Sequence, residues 1–479
     1  MKEYKEIFDL IKSNKVKGIC FDSREVQEGF LFIAQKGTNV DGHKFIKTAI
    51  SKGAKYVVCE FIPEEVQELS QKNNEILFFV VKNSSKALGY IASEYYDNPS
   101  KKLKIVGITG TNGKTTTVTL LHNLFMLSGY KVGLVSTIVN KINNREIKAT
   151  HTTPDAIELN KLFNQMVVEG CEFVFMEVSS HAIVQNRIAG VNFEGGIFSN
   201  ITHDHLDFHK TFASYIKAKK AFFDNLSEKA FALTNVDDQN GMVMLQNTKA
   251  KKYTYSLKTI ADFHAIVLEN DFEAQLLNIE GVELWTKLIG QFNAYNVLVI
   301  YSTAILLGLK KDEVLKVLSQ LEPAQGRFDA VSTSKGTKAI IDYAHTPDAL
   351  INVIKTINQI RQSNGRLITV VGCGGDRDKT KRPIMAKIAA ENSDTLILTS
   401  DNPRTEEPEE ILKDMQSGLD IITEKKSFTI VNRHDAIKLA CQLANKEDVI
   451  LVAGKGHETY QEVNGVRHHF DDKEEVLKY

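Results

Sequence analysis

This sequence has next to no net charge, no long apolar run, no closely spaced cysteines and no repeats, and each absence excludes a class of protein. Lys and Arg number 59 against 60 Asp and Glu, a formal net charge of -1. No global field therefore draws the chain toward nucleic acid or a membrane surface, and any anion it holds must be gripped by a local site. The longest apolar runs, such as residues 304–309, fall far short of the ~20 residues of a membrane helix. The first ten residues, MKEYKEIFDL, lack the charged-then-apolar layout of a signal peptide. The five cysteines, Cys20, Cys59, Cys171, Cys373 and Cys441, are odd in number and never spaced as CxxC. That spacing argues against a disulfide framework and a cysteine zinc site, and for a reducing compartment. Low-complexity tracts and 20–50-residue repeats are also missing. A cytoplasmic multidomain protein is the expectation, with no nucleic-acid partner and no membrane insertion.

What is present fits that frame. The chain has 479 residues, enough for about three domains, and its 43% hydrophobic and 25% charged content is that of a globular protein able to bury several cores. A turn-rich break at residues 95–104 and a second at 322–327, after a helical stretch over 294–321, divide it into segments 1–100, 101–326 and 327–479. The last two segments alternate apolar strand-like runs with amphipathic helices, the pattern of a mostly parallel sheet covered on both faces. In the last segment the predicted strands are 339–343, 367–372, 395–399 and 449–453. Each is followed at once by polar or glycine-rich residues, and open α/β sheets bind ligands at the carboxyl ends of their strands. Four such clusters predict one shared site.

Residues 104–108 read as a strand, and Gly110, Thr111, Asn112, Gly113, Lys114, Thr115 and Thr116 run into a helical pattern beginning near Thr115. Glycines let backbone N–H groups surround phosphate oxygens, Lys114 reaches the outer phosphates, and the Thr115 hydroxyl suits Mg²⁺. The strict GxxxxGK[ST] pattern is not met, because position 108 is Ile. Downstream, the apolar run 173–178 is interrupted only by Glu177. A carboxylate at a buried strand end beside a phosphate loop is where a further Mg²⁺ ligand belongs.

His203, Asp204, His205, Asp207 and His209 form a cluster without the HExxH spacing of zinc enzymes, and its carboxylates favour magnesium. In the helix predicted over 211–226, Phe212, Ile216, Phe223 and Leu226 share one face and Lys219 falls near the middle of it. Lys217 points nearly opposite and Lys220 lies at the margin. A lysine so placed either snorkels or is desolvated to a neutral amine that can pair, act as a base or react with carbon dioxide.

These residues resemble the Mur ligase family, the ATP-dependent enzymes that add amino acids one at a time to the peptidoglycan precursor. The resemblance runs through Asp22-Ser23-Arg24, Asp41-Gly42-His43, the phosphate loop, His151-Thr152-Thr153 and the region from Glu177 to Arg187. It continues through Asn293 and Asn296, Gly326-Arg327, Asp342 to Pro347, Gly374 to Pro383, Asp401-Asn402-Pro403-Arg404 and Gly454 to Glu458. It implies an α/β fold of three domains: an N-terminal α/β uridine-nucleotide-binding domain, a central phosphate-loop ATPase domain with a mostly parallel sheet, and a C-terminal Rossmann-like α/β domain. Within the family, Asp401-Asn402-Pro403-Arg404 is similar to the third-residue ligases that add meso-2,6-diaminopimelate to UDP-N-acetylmuramoyl-L-alanyl-D-glutamate. A guanidinium at Arg404 rewards a substrate with an extra carboxylate.

The resemblance further implies ATP as co-substrate, Mg²⁺, an acyl-phosphate intermediate, a monomer, and a place in cell-wall synthesis, cell shape and division. It assigns Lys114 to the transferring phosphate, Thr115 and Glu177 to one Mg²⁺, and His205 with a carbamylated Lys219 to a second. Asn293, Asn296, Arg327 and Asp342 would hold other parts of ATP. Phe21, Ser23, Thr38, Asn39 and Val40 would meet the UDP end of the precursor, with Thr152, Thr153, Ser179, Gln185 and Arg187 nearer its peptide. Arg377, Asp401, Asn402, Pro403, Arg404, Gly454 and Glu458 would take diaminopimelate. A domain hinge is expected near residues 322–340. The competing readings are an L-lysine-adding ligase, folylpolyglutamate synthetase, which lacks the uridine-binding segment, and a phosphate-loop switch with no amine site.

Overall fold

Three large sheets, followed by a two-stranded hairpin of Tyr460–Val463 and Val466–His469, succeed one another along the chain in the computed structural model, which describes residues 2–37, 40–67, 75–202, 204–324, 326–361 and 365–479. The first has four parallel strands, Gly18–Cys20, Phe30–Ile33, Tyr56–Cys59 and Leu77–Val80, in sequence order. Helices Lys5–Lys12 and Ser84–Tyr95 pack on it through Ile7, Ile11, Leu88 and Ile91. Asn83 starts the second of these helices by accepting a hydrogen bond from the Lys86 amide.

The second sheet has eleven strands. Its middle is a parallel set in the order Lys251–Ser256, Phe231–Asn235, Gly195–Phe198, Lys104–Thr109, Phe173–Glu177 and Val132–Val135. Alternate residues of each strand point to opposite faces. Phe173 and Phe175 meet helices Lys114–Leu127 and Gln291–Leu306 on one side, while Val174 and Met176 meet helices Ala156–Val168 and Phe212–Asp224 on the other. Burial on both faces is why these strands read as continuous apolar runs.

Two features differ from the sequence expectation. Antiparallel hairpins extend the sheet at both edges, Val139–Ile142 with Arg145–Lys148 and Gln275–Ile279 with Val282–Thr286. The second closes through Glu280 and Gly281 at φ 48° and 85°, the pair of left-handed residues that a two-residue hairpin turn demands. The helical stretch expected over 294–321 is two helices, Gln291–Leu306 and Lys311–Leu318. Gly308, at φ 95°, cannot continue the first, so the chain turns before the second begins.

The third sheet runs Asp329–Ser332, Lys338–Asp342, Val449–Ala453, Leu367–Val371, Thr395–Thr399 and Ser427–Ile430, antiparallel only at the first pair. Helices Pro347–Arg361, Lys381–Asn392 and Pro408–Gln416 cover one face, and Arg433–Leu443 with Asp472–Leu477 the other. Its four expected strands end within one residue of their predicted positions, and Val449–Ala453 inserts in space between Lys338–Asp342 and Leu367–Val371. That insertion gathers the carboxyl ends at Asp342, Val371, Thr399 and Ala453 into one cleft edge. Among the described residues no helix is long and apolar enough to cross a membrane.

Candidate active site

The central site is built where strand Lys104–Thr109 gives way to helix Lys114–Leu127. The loop between them is held from the neighbouring strand end: the Thr111 amide donates to the Asn200 carbonyl (2.8 Å) and the Asn112 amide to Asn200 Oδ1 (2.9 Å). Ser199 Oγ donates to the Asn112 carbonyl at 2.8 Å. Gly113 takes φ 86° and sits against Asn296. Thr115 and Thr116 are buried in the first turn of the helix. Lys114 folds back over the loop, donating to the carbonyls of Gly110 (3.1 Å) and Thr111 (2.9 Å). Burial pulls its pKa down, against the attraction of Glu177 and Asp204.

Glu177 ends its strand only 1% exposed. Its Oε1 accepts from the Thr115 hydroxyl and from the Thr137 amide, both at 2.8 Å, and Oε2 accepts from the Thr137 hydroxyl at 3.2 Å. The residues expected near the precursor peptide meet around it. Thr137 Oγ1 lies 3.0 Å from Thr152 Oγ1, and Thr153 Oγ1 donates to the Glu177 carbonyl (2.8 Å) and lies 3.5 Å from Ser179 Oγ. Arg187 donates to the Thr153 carbonyl (2.8 Å) and to Gln185 Oε1 (2.9 Å). Residues spread over 137–187 thus form one polar wall.

Lys219 is 1% exposed, on the buried face of its helix with Tyr215, Phe222 and Phe223, while Lys217 is exposed. It donates to the Gly110 carbonyl at 2.7 Å and lies 4.5 Å above the Tyr215 ring. Burial, and then the charge of Lys114, hold its pKa well below that of an ordinary lysine, so it does not snorkel. His205 lies beside the same tyrosine, its ring 6.3 Å from that of Tyr215. That side chain is 47% exposed, with Nε2 3.5 Å from Asp204 Oδ2 and its ring 5.0 Å from that of His181. Among the described residues no three His, Cys, Asp or Glu side chains gather as a ready-made ion cage. His203 lies outside them.

Asn293 and Asn296 are buried on helix Gln291–Leu306, which packs on the phosphate-loop helix. Asn296 Nδ2 donates to Asn293 Oδ1 (2.9 Å), and its own Oδ1 lies 3.4 Å from the Thr117 hydroxyl. Asp342, at a C-terminal strand end, accepts from the amides of Phe328 and Ala344, both at 2.7 Å. Burial raises its pKa, and nearby Arg327 opposes the rise. Arg327 stacks 4.6 Å over Tyr343, whose ring also meets His345 (4.6 Å) and His457 (4.9 Å). Burial brings both histidines down to about 4, so this cationic corner holds neutral imidazoles. Sequence reasoning does not single out these two histidines as site residues, although each lies in a polar cluster after a strand.

The expected diaminopimelate residues converge from three strand ends. Asn402 Nδ2 donates to Glu458 Oε2 at 2.7 Å. Beneath them Lys455, fully buried, donates to Asn402 Oδ1 (3.2 Å), lies 3.5 Å from Glu458, and also bonds the Tyr460 carbonyl. Burial and the nearby Asp401 raise the pKa of Glu458. Gly454, at φ 116°, leaves no room for a side chain: a Cβ there would come 2.7 Å from Asp401 Oδ2. Pro403 is buried in the same loop. Arg404 donates Nη1 to the Gly375 carbonyl at 2.6 Å, and Arg377 is exposed beside Gly374. Lys455 is the residue that sequence reasoning misses here. Its signal is a lysine between two glycines at a buried strand end.

The two halves touch. Asp348, opening helix Pro347–Arg361, accepts from Asn112 Nδ2 of the phosphate loop (2.8 Å) and from the Thr202 hydroxyl (3.1 Å). In the first sheet's domain Ser23 is buried, Phe21 is 36% and Val40 57% exposed, and Thr38 and Asn39 lie outside the described residues.

Comparison with known proteins agrees along the whole chain. Residues 15–96 match the Mur ligase family catalytic domain, 108–304 the Mur ligase middle domain, and 326–456 the Mur ligase glutamate ligase domain. A protein of Bacteroides thetaiotaomicron named UDP-N-acetylmuramoyl-L-alanyl-D-glutamate--2,6-diaminopimelate ligase is 55% identical, over 97% of this chain and 95% of its own. The chain belongs to the Mur ligase family. A Cytophaga hutchinsonii protein of the same name is 56% identical over 96% of this chain and 93% of its own. A solved structure bearing that name is 32% identical with a TM-score of 0.69, covering 96% of this Mur ligase and 94% of the solved chain.

Proposed function

We infer that this Mur ligase joins meso-2,6-diaminopimelate to UDP-N-acetylmuramoyl-L-alanyl-D-glutamate with ATP, as a cytoplasmic monomer in peptidoglycan synthesis. Residues 1–100 take the UDP end of the precursor, 101–326 take ATP, and 327–479 take the amino acid. The observation that carries this reading is the acceptor corner, where Asn402 bonds the acidic Glu458 and the guanidinium of Arg404 is held by the Gly375 carbonyl, in a domain that Asp348 ties to the phosphate loop.

A carboxylate is a poor electrophile, so the γ-phosphoryl group of ATP passes to the D-Glu side-chain carboxylate, giving an acyl phosphate and ADP. The diaminopimelate amine then attacks the carbonyl carbon. The C–N bond forms, the bond to phosphate breaks, and the amine gives up a proton. Lys114 follows the transferring phosphate, and Asn293, Asn296, Arg327 and Asp342 hold the rest of the nucleotide. Arg327 Nε is buried with no partner among the described residues, donor capacity suited to an anionic ligand, and His457 Nδ1 beside it is likewise unpartnered there. Arg187, Gln185, Ser179, Thr152 and Thr153 orient the peptide. Glu458 receives an ammonium, and Arg377 and Arg404 receive carboxylates.

The Thr115 hydroxyl and Glu177 carboxylate, 2.8 Å apart at the end of the loop, are the hard oxygen donors that Mg²⁺ prefers. Magnesium held there supplies charge neutralisation for the phosphoryl oxygens. Burial holds the Lys219 pKa well down beside the loop, and carbamylation would turn it into an oxygen donor that would join His205 at a second ion. Competition between diaminopimelate and L-lysine in one assay tests the substrate assignment. Preference for diaminopimelate is expected, and preference for lysine overturns it.

A further inference from the structure

The two loops that present Arg377 and Arg404 are strapped together from below. Arg382 lies on helix Lys381–Asn392, and its guanidinium is fully buried. Nη2 donates to Glu406 Oε1 (2.8 Å) and Nη1 to Glu406 Oε2 (3.0 Å), a two-pronged pair. Nη1 also reaches Asp414 (2.8 Å), and Nη2 lies 3.4 Å from the Gly374 carbonyl. Glu406 Oε1 accepts in addition from the Asp376 amide at 2.6 Å. Asp376 then holds the opposite loop, accepting from the Thr405 hydroxyl (2.8 Å). Between these ties the Gly375 amide donates to the Asn402 carbonyl (2.9 Å), and the Gly375 carbonyl receives Arg404 Nη1.

Asp376 and Arg404 both sit at φ 53°. A left-handed conformation at a residue other than glycine persists only where the surroundings over-determine it: the strap holds Asp376, while the Arg404 backbone is held by Glu462 and Asn464 and its side chain by the strapped Gly375 carbonyl. The pair is also an inefficient way to gain stability. Arg382 Nε is buried without a partner among the described residues, and a buried ion pair often does no better than apolar side chains of the same volume. What the pair does supply is a fixed relation between the two loops.

We propose that the Arg382–Glu406 pair is a positioning element that aims Arg404, through Asp376 and the Gly375 carbonyl, at the extra carboxylate of the amino-acid substrate, and so sets the preference for a diacid over a monocarboxylate diamine. This rests on the acceptor assignment made above. Neither Arg382 nor Glu406 touches substrate. Misplacing Arg404 costs binding of the extra carboxylate, while the phosphate loop and the precursor wall, on another sheet, keep their geometry.

The test is steady-state kinetics of the wild type, Glu406→Gln and Arg382→Lys with ATP, precursor, and either meso-diaminopimelate or L-lysine. In both variants KM for diaminopimelate should rise about ten- to a hundredfold, and the diaminopimelate-to-lysine ratio of kcat/KM should fall by a similar factor. The KM values for ATP and precursor should stay unchanged. An unchanged ratio, or an equal rise in all three KM values, overturns the proposal. A wild type that prefers lysine overturns the acceptor assignment and the strap together, whereas a wild type that prefers diaminopimelate with an unaltered Glu406→Gln ratio overturns the strap alone. Thr405→Val removes only the exposed Thr405–Asp376 tie, so it carries the same test if the buried variants do not fold. The same selective fall supports the strap, and an unchanged ratio contradicts it.

Discussion

Lys114 and Lys219, 105 residues apart in the chain, aim their amines at one atom: the carbonyl oxygen of Gly110 lies 3.1 Å from the first and 2.7 Å from the second. Two ammonium groups in that space would repel each other. The deeper one, Lys219, is the one whose pKa is held well down, by burial first and by Lys114 second. Burial lowers both pKa values, and Lys219 carries the added push of Lys114's charge toward its uncharged form.

The lowered pKa of Lys219 leads to the first prediction. A neutral lysine reacts with carbon dioxide to give a carbamate, so Lys219→Ala should lose most of its turnover, and added short carboxylates should restore part of it. The measurement is kcat with and without a small carboxylate. Undiminished turnover in the variant would sink the carbamate role.

The Thr115–Glu177 contact supplies the second. Several kcal/mol of transition-state stabilisation ride on a catalytic metal ion, so Glu177→Gln should lower kcat/KM on the order of 10²-fold or more. Raising the magnesium concentration should recover a part of that loss. A Glu177→Gln enzyme with wild-type kinetics and unchanged magnesium dependence would contradict the assignment.

Much of this was legible in the sequence, and the reasons differ from residue to residue. The strand Phe173–Glu177 reads as an apolar run because both its faces are covered, and Lys219 stands out because a charge on an apolar stripe breaks the helical period. The phosphate loop announces itself through local order alone. Lys455, Arg382 and Asp348 were not legible as site residues. Each is an ordinary charged side chain whose meaning comes from distant partners: Asn112 and Asp348 are 236 residues apart, and Lys455 and Asn402 are 53 apart. The edge hairpins were missed because their turn residues, Glu280-Gly281 among them, sit in a region whose neighbouring strands set a parallel expectation.

The Asp348 bridge gives a third prediction. Its two hydrogen bonds contribute about 1–3 kcal/mol together to holding the phosphate loop against the C-terminal domain. Asp348→Ala should enlarge the radius of gyration in solution scattering, lower kcat several-fold, and compact on adding an ATP analogue with precursor. Scattering curves identical for variant and wild type would remove the bridge from the closing motion.

Acid stability gives a fourth. Arg382 holds the Glu406 carboxyl down to about 2, from an ordinary value of 4.5. A depressed acid pKa stabilises the fold above the ordinary value, and that stabilisation is lost as pH falls toward the folded value. The Tm advantage of the wild type over Glu406→Gln should therefore be constant above about pH 5 and shrink as the pH falls from 4.5 toward 2. A gap that widens on acidification would contradict the pairing.

The most direct test of the account is phosphate release measured with ATP and precursor in the presence and absence of each amine. Release that requires precursor and meso-diaminopimelate together, with L-lysine a poor substitute, is the predicted result. Release that is indifferent to the amine, or that follows lysine, would contradict it.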